Sequence, residues 1–246
     1  MEEYLPYLQY VAVFVVSLLG TAVQAASGFG YGIFVMSVLP HFLPYNVALC
    51  TTGLVAIPAA LRIAWRYRRD IDIRLVAVPV IVYLGSSLIG TMFLKSLGDA
   101  VLRRILGGFL ILLSIYMFRF SERIRVKAGI VSGTVAGGLG GILGSVFSMG
   151  GPPIVIYMLA AAARPEVYMA STQLYFFSTN VYLGFVRFFN GMMSEQVIYA
   201  VIAGFLGIFG GARLGDALFR RLDIVSLRRM VYAFMVLMGL MFLLGG

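Results

Sequence analysis

The chain has 246 residues, of which 61% are hydrophobic and 12% charged, whereas soluble domains run at about 45–50% apolar and about 25% charged. Nineteen Lys and Arg against ten Asp and Glu give a formal charge of +9, but the basic residues fall in short clusters between apolar runs rather than along one polar face. A soluble fold and a nucleic-acid-binding surface are excluded, and an integral membrane protein is implied. With one cysteine, Cys50, and one histidine, His41, disulfide scaffolds, thiolate metal sites and most zinc chemistry fall away as well. No metal and no cofactor is expected.

The first apolar run, residues 4–25, follows the acidic flank Met1-Glu2-Glu3, where a signal peptide would be basic; it reads as a retained membrane helix. A glycine-rich break follows, Ser27-Gly28-Phe29-Gly30-Tyr31-Gly32, and then a short apolar run over 29–41. As one helix, residues 4–41 would measure about 57 Å, nearly twice the hydrocarbon core. The helix must therefore break and turn back. Runs of spanning length follow at 45–66, 74–94 and 105–118, the last extended through Arg104 and Arg119 on the expectation that both snorkel. After a basic stretch come a run at 128–147, the break Ser148-Met149-Gly150-Gly151-Pro152-Pro153, a short run at 150–163, and further spans at 166–189, 194–214 and 228–245.

The second half repeats the first. An offset of 121 carries Ser27 onto Ser148, Gly30 onto Gly151, Pro44 onto Pro165, Thr51 onto Thr172 and Arg66 onto Arg187. After a four-residue insertion, an offset of 125 carries Gly85 onto Gly210, Gly90 onto Gly215 and Leu102-Arg103-Arg104 onto Leu227-Arg228-Arg229. The expected organisation is a first membrane repeat over 1–119, a basic cytoplasmic linker over 120–127 and a second repeat over 128–246. If the breaks are ignored and eight helices alternate, Lys and Arg divide 10 to 9 between the two sides. If each break is a hairpin, or a pair of full crossings, Lys95, Arg103, Arg104 and Arg187 lie outside and the other 15 inside. The positive-inside rule selects the second arrangement. The fold class expected is a polytopic all-α integral membrane protein of two inverted repeats, each a Gly-broken helical hairpin plus three transmembrane helices.

Inverted repeats with broken helices are an architecture of secondary transporters. At each tip a short helix would begin with unpaired N–H groups and the positive end of its dipole, a setting for a compact anion that glycine lets approach closely. The candidate substrate-binding residues are Gln24, Ser27, Gly28, Gly30, Tyr31, Gly32 and Thr51 in the first repeat. In the second they are Ser148, Gly150, Gly151, Pro152, Thr172, Gln173 and Asn180. Ser27 and Ser148 are expected to cap the short helices or donate to substrate. Thr51 and Thr172 could equally bond the carbonyl one turn back. Gly129, Gly133, Gly137 and Gly141 are expected to form a packing ridge, as are Gly207, Gly211 and Gly215, and Arg66 and Arg187 are expected to snorkel at helix ends. All ten acidic residues fall in termini, loops or helix ends, which disfavours a proton relay through a buried carboxylate. An enzyme is not expected, since His41 has no recognisable partner for nucleophilic chemistry.

The Gln24-Ala25-Ala26-Ser27-Gly28-Phe29-Gly30 opening, its Gly-rich counterpart at Ser148–Pro153, and the paired glycines and Leu-Arg-Arg late in both repeats resemble the sulfite exporter TauE/SafE family of membrane permeases. That resemblance covers essentially the whole chain. It implies transport, often export, of sulfite, a sulfonate or a related organosulfur anion across the bacterial inner membrane, with the tips Ser27–Gly32 and Ser148–Pro153 at the site. The function expected is a secondary transporter binding such an anion between two opposed Gly-rich tips. The alternatives are an anion-selective channel or an importer of a different small carboxylate or oxyanion. The partners expected are the small anionic substrate and the lipid bilayer, with no nucleic acid and with a homo-oligomer left open.

Overall fold

The computed structural model of the chain describes residues 5–120, 127, 129–219 and 224–244; their regular structure is all helical, with no strand. The α-helices among these residues run in order: α1 Leu5–Ser27, α2 Tyr31–Val38, α3 Tyr45–Arg66, α4 Ile73–Ser96, α5 Asp99–Phe120, α6 Ile130–Phe147, α7 Gly151–Ala161, α8 Pro165–Phe189, α9 Glu195–Phe219 and α10 Ile224–Leu244. Each apolar run of the sequence is one of these helices. The expected linker, 120–127, lies outside the described residues except at its two ends.

Among the described residues five helices, α1 and α3 to α6, are long and apolar enough to cross a bilayer. At 1.5 Å per residue α1 rises about 35 Å and α6 about 27 Å, whereas α2 and α7 rise only about 12 and 17 Å. Each break thus separates a helix of full spanning length from a much shorter return, about a third as long at the first break and about three-fifths at the second. The 25-residue α8 has the length to span but carries a buried polar row of Ser171, Thr172, Gln173, Thr179 and Arg187, which lowers its hydropathy. Large apolar side chains such as Ile81, Met92, Leu112 and Phe189 are exposed, as expected where the solvent is lipid.

The helices form two compact units, and the division falls inside α3, between Thr52 and Gly53. The first unit holds α1, α2, the start of α3, α5, α9 and α10; the second holds the rest of α3, α4, α6, α7 and α8. Each unit takes its broken hairpin from one half of the sequence and further helices from both halves.

Glycine explains how closely the helices approach. In the first unit α9 lies on α1, where a Cβ at Gly207 would stand 3.1 Å from the Leu18 nitrogen and one at Gly211 would stand 2.9 Å from the Leu18 Cα. Gly107 of α5 and Gly239 of α10 meet reciprocally, each Cβ position 2.7–2.8 Å from the other's carbonyl oxygen. In the second unit α6 lies on α4. There a Cβ at Gly137 would stand 2.8 Å from the Cα of Pro79, and one at Gly141 would stand 2.8 Å from the carbonyl oxygen of Tyr83. Backbones this close are the usual means of tight helix packing where lipid removes the hydrophobic drive. The expected ridge on α6 is shorter than the four-residue spacing implied: Gly133 faces the Tyr157 ring of α7, and Gly129 faces open space. The surroundings of Gly215 lie outside the described residues.

Polar contacts within the second unit fix which loops share an end. Arg164 Nη2 donates to Asp70 Oδ1 at 2.9 Å, and Asp72 N–H donates to Ser171 Oγ at 3.1 Å. At the opposite end of α4, Lys95 Nζ donates to Asn190 Oδ1 at 2.9 Å. Residues 70 and 164 therefore share one end and residues 95 and 190 the other, which eight alternating helices would not allow.

Candidate functional site

The first tip is built by glycine. The amide of Gly28 closes α1 by donating to the Gln24 carbonyl at 2.8 Å, and Gly28 and Gly30 take φ of 78° and 101°, values that disfavour any residue with a Cβ. Gly30 is the N-cap of α2 and makes no side-chain cap bond; Phe34 N–H closes the first turn on its carbonyl at 2.9 Å. The amides of Gly30, Tyr31, Gly32 and Ile33 thus lie outside the helical ladder, at the positive end of the α2 dipole. Gln24 is buried in the last turn of α1. The Tyr31 ring packs beside Gly20, and its hydroxyl donates to Ser17 Oγ at 3.3 Å. The Ser27 side chain lies outside the described residues.

The second tip uses different means and sits one residue earlier in the repeat register. The helix α6 ends at Phe147, and Ser148, at φ 53°, is the only non-glycine residue with positive φ among those described. Such a conformation costs a serine about 1–2 kcal/mol. Its N–H returns to the Gly144 carbonyl at 3.0 Å. Ser148 therefore closes α6 and does not cap α7, as the sequence had suggested; the N-cap of α7 is Gly150, again without a side-chain bond. A Cβ at Gly150 would stand 2.6 Å from the Gly140 carbonyl oxygen, so this glycine is fixed by the hairpin's own packing. Gly151 is different. A Cβ there would meet only the Phe176 ring, at an ordinary 3.5 Å. Pro152 and Pro153 have no N–H, so only Gly150 and Gly151 among the four N-terminal positions carry a donor.

Most buried hydroxyls on the helices have a protein partner: Ser87 and Ser145 donate to the carbonyl three residues back and Ser114 to the Tyr232 carbonyl. Thr21, Ser37, Thr52, Thr91 and Thr179 each donate to the carbonyl four residues back, at 2.6–2.8 Å. Thr51 and Thr172, both fully buried, have no partner for Oγ1 among the described residues. A buried unsatisfied hydroxyl costs about 1–3 kcal/mol, and these two positions are counterparts under the 121-residue offset. Gln173 is fully buried beside Thr172, and Asn180 donates Nδ2 to the Phe176 carbonyl at 2.8 Å.

Arg187 departs furthest from expectation. It does not snorkel; at 1% exposure it is the only buried charged residue among those described. Its Nη2 donates to Ser148 Oγ at 3.1 Å and to the Gly144 and Ser145 carbonyls at 3.4 Å each. Room for it comes from Gly53, where a Cβ would stand 2.6 Å from Nη1 and 3.6 Å from Asn180 Oδ1. The second unit thus gathers Ser148, Asn180 and Arg187 around Gly53. The repeat counterpart Arg66 is exposed and lies over the Tyr67 ring at 5.8 Å. His41 stacks on Phe242 with centroids 4.0 Å apart, and Cys50 is buried.

Apolar spans, short return helices and polar side chains enclosed within each unit define a multi-pass integral membrane protein. Residues 13–242, nearly the whole chain, match the family described as Sulfite exporter TauE/SafE, and the chain belongs to that family. It is a membrane permease. No curated protein and no solved structure matches the chain.

Proposed function

We propose that the chain is a secondary transporter that exports a compact sulfur oxyanion, such as sulfite or a short sulfonate, across the bacterial inner membrane. The observation that carries this is the pair Thr51 and Thr172: two hydroxyls at counterpart positions of the 121-residue offset, fully buried and without a partner among the described residues, whereas Thr21, Ser37, Thr52, Thr91 and Thr179 each bond the carbonyl four residues back. A donor kept at that cost suits a ligand that supplies the acceptor. The Gly-rich tips add backbone amides and helix dipoles to the same preference for negative charge. An anion leaving a negative interior gains about 2.3 kcal/mol per charge per 100 mV, which favours export driven by potential alone.

Residues 1–119 and 128–246 are proposed as duplicated units of opposite orientation. Two features support this: the 15-to-4 division of Lys and Arg, and the end-sharing contacts Asp70–Arg164 and Lys95–Asn190. The test is counterflow in proteoliposomes loaded with labelled ethanesulfonate. Saturable flux, accelerated by unlabelled anion on the opposite side and reduced in Thr51→Val and Thr172→Val, is expected. Non-saturating flux without counterflow would identify a channel instead.

A further inference from the structure

We propose that the pocket where α4 and α8 begin binds the phosphate of an anionic phospholipid headgroup. The pocket has a volume of about 420 Å³ and opens to the surface, and small-molecule sites usually run at about 300–1,000 Å³. It lies wholly within the second unit, walled by residues 69–75 and by the α7–α8 connection. The helices around it set its depth. Both α3 and α4 have the length and hydropathy of spans, so residues 67–72, which join them, sit at a bilayer boundary. Exposed Trp65 at the end of α3 and neighbouring Tyr67 mark the same level, since such rings favour the headgroup layer.

The charges in the pocket leave a positive surplus. Arg164 Nη2 holds Asp70, and Asp72 Oδ1 accepts the Arg74 N–H at 3.0 Å where α4 starts. Both carboxylates are thus engaged, one by a guanidinium and one by the first turn of a helix. Arg69 and Arg74 also line the pocket, are exposed, and form no ion pair among the described residues. The N-termini of α4 and α8 add two positive dipole ends, against one C-terminal end from α7. Two forked guanidinium groups suit the oxygens of a phosphate. The apolar edge of the pocket points to lipid as its source. Ile73, in the pocket wall, is 62% exposed, and Leu159, in the last turn of α7, is 61% exposed. A free phosphate gains nothing from such neighbours, whereas a phospholipid held by its headgroup lays its acyl chains beside them, and basic pockets between helix ends recur as sites of this kind.

The experiment titrates the detergent-purified full chain with dioctanoyl phosphatidylglycerol and reads thermal stabilisation. Two ligands run in parallel: dioctanoyl phosphatidylcholine, with the same chains and no net charge, and glycerol phosphate, with the charge and no chains. Saturable stabilisation by phosphatidylglycerol and by neither of the others is expected. Arg69→Gln/Arg74→Gln should weaken phosphatidylglycerol binding about thirtyfold, about fivefold for each arginine, and leave ethanesulfonate binding as in the wild type. Ala163→Trp, which fills the pocket and keeps every charge, should abolish the phosphatidylglycerol shift. Arg62→Gln/Arg68→Gln, which takes the same charge from the same cluster outside the pocket, should keep it. Equal losses in the two double variants, or a full shift in Ala163→Trp, would mean diffuse attraction of lipid to a basic surface and overturn the proposal. Equal stabilisation by glycerol phosphate would overturn it in favour of a free phosphate ligand. If Arg69→Gln/Arg74→Gln loses ethanesulfonate along with phosphatidylglycerol, the pocket is an entrance for the transported anion and the lipid assignment falls.

Discussion

Replacing Thr172 by Val removes one oxygen atom and changes the shape of the site very little. The hydroxyl is buried with no acceptor among the described residues, so its loss should leave stability without ligand unchanged or raise it by up to about 1–3 kcal/mol, the cost of an unsatisfied buried donor. With ligand the sign reverses. A hydrogen bond to a charged group contributes about 1.5–3 kcal/mol, so affinity should fall by about 10- to 150-fold. At a ligand concentration 100 times the wild-type Kd, mass action stabilises the wild type by about 2.7 kcal/mol, and the weakened variant by only about 0.3–1.3 kcal/mol. At about 2–4 °C per kcal/mol for a chain of this size, a wild-type shift of about 5–11 °C should shrink to at most about 5 °C. Thermal unfolding with and without ethanesulfonate reads both effects at once. Thr179→Val is the control, because that hydroxyl already donates to the Tyr175 carbonyl, and it should keep the full ligand shift. A Thr172→Val protein that unfolds well below the wild type without ligand and keeps the wild-type shift with it would refute the reasoning.

Glycine substitutions should separate packing from binding. Gly141→Ala forces a Cβ to 2.8 Å from the Tyr83 carbonyl oxygen and should destabilise by about 1–3 kcal/mol, whereas Gly151→Ala, with only the Phe176 ring at 3.5 Å, should fold normally and bind ethanesulfonate more weakly. Cysteine probes at 99 and 190 should label from outside and probes at 68 and 164 should not; labelling of 164 together with 99 would end the proposed topology. Efflux of a permanently charged sulfonate from proteoliposomes should accelerate or slow with the sign of an imposed potential and need no pH gradient, since a dianion crossing 100 mV carries about 4.6 kcal/mol. Strict dependence on a proton gradient at zero potential would contradict it.

Hydropathy and glycine were enough to place the helices and both breaks, because a bilayer admits few alternatives to a helix about 20 residues long. Even the marginal run at 105–118 is a full helix from Asp99 to Phe120, with Arg104 and Arg119 exposed at its flanks. Which side chains a helix encloses was much less legible. Arg187 stands beside Phe188 and Phe189 in the last turn of α8, the usual place for a snorkelling arginine. Its burial depends on Gly53 and Ser148, which lie 134 and 39 residues away in the chain. The spacing of Thr172, Thr179 and Arg187 at about two turns each does put them on one face, and that polar stripe was the signal available. The exchange of roles at the tips was hidden as well: the same Ser-to-Gly pattern closes on Gly28 in one repeat and on Ser148 in the other, a difference of one residue that motif matching treats as identity.

The exchange of helices between the two halves of the sequence bears on how the chain is made. Gly211 waits for nothing, but its partner Leu18 is synthesised more than 190 residues earlier; at about 5–20 residues per second the first helix stays in the bilayer for about 10–40 s before α9 exists to cover it. Neither half, expressed alone, holds both sides of the α1–α9, α4–α6 or α5–α10 contacts. Two separate halves should be degraded singly and rescued together.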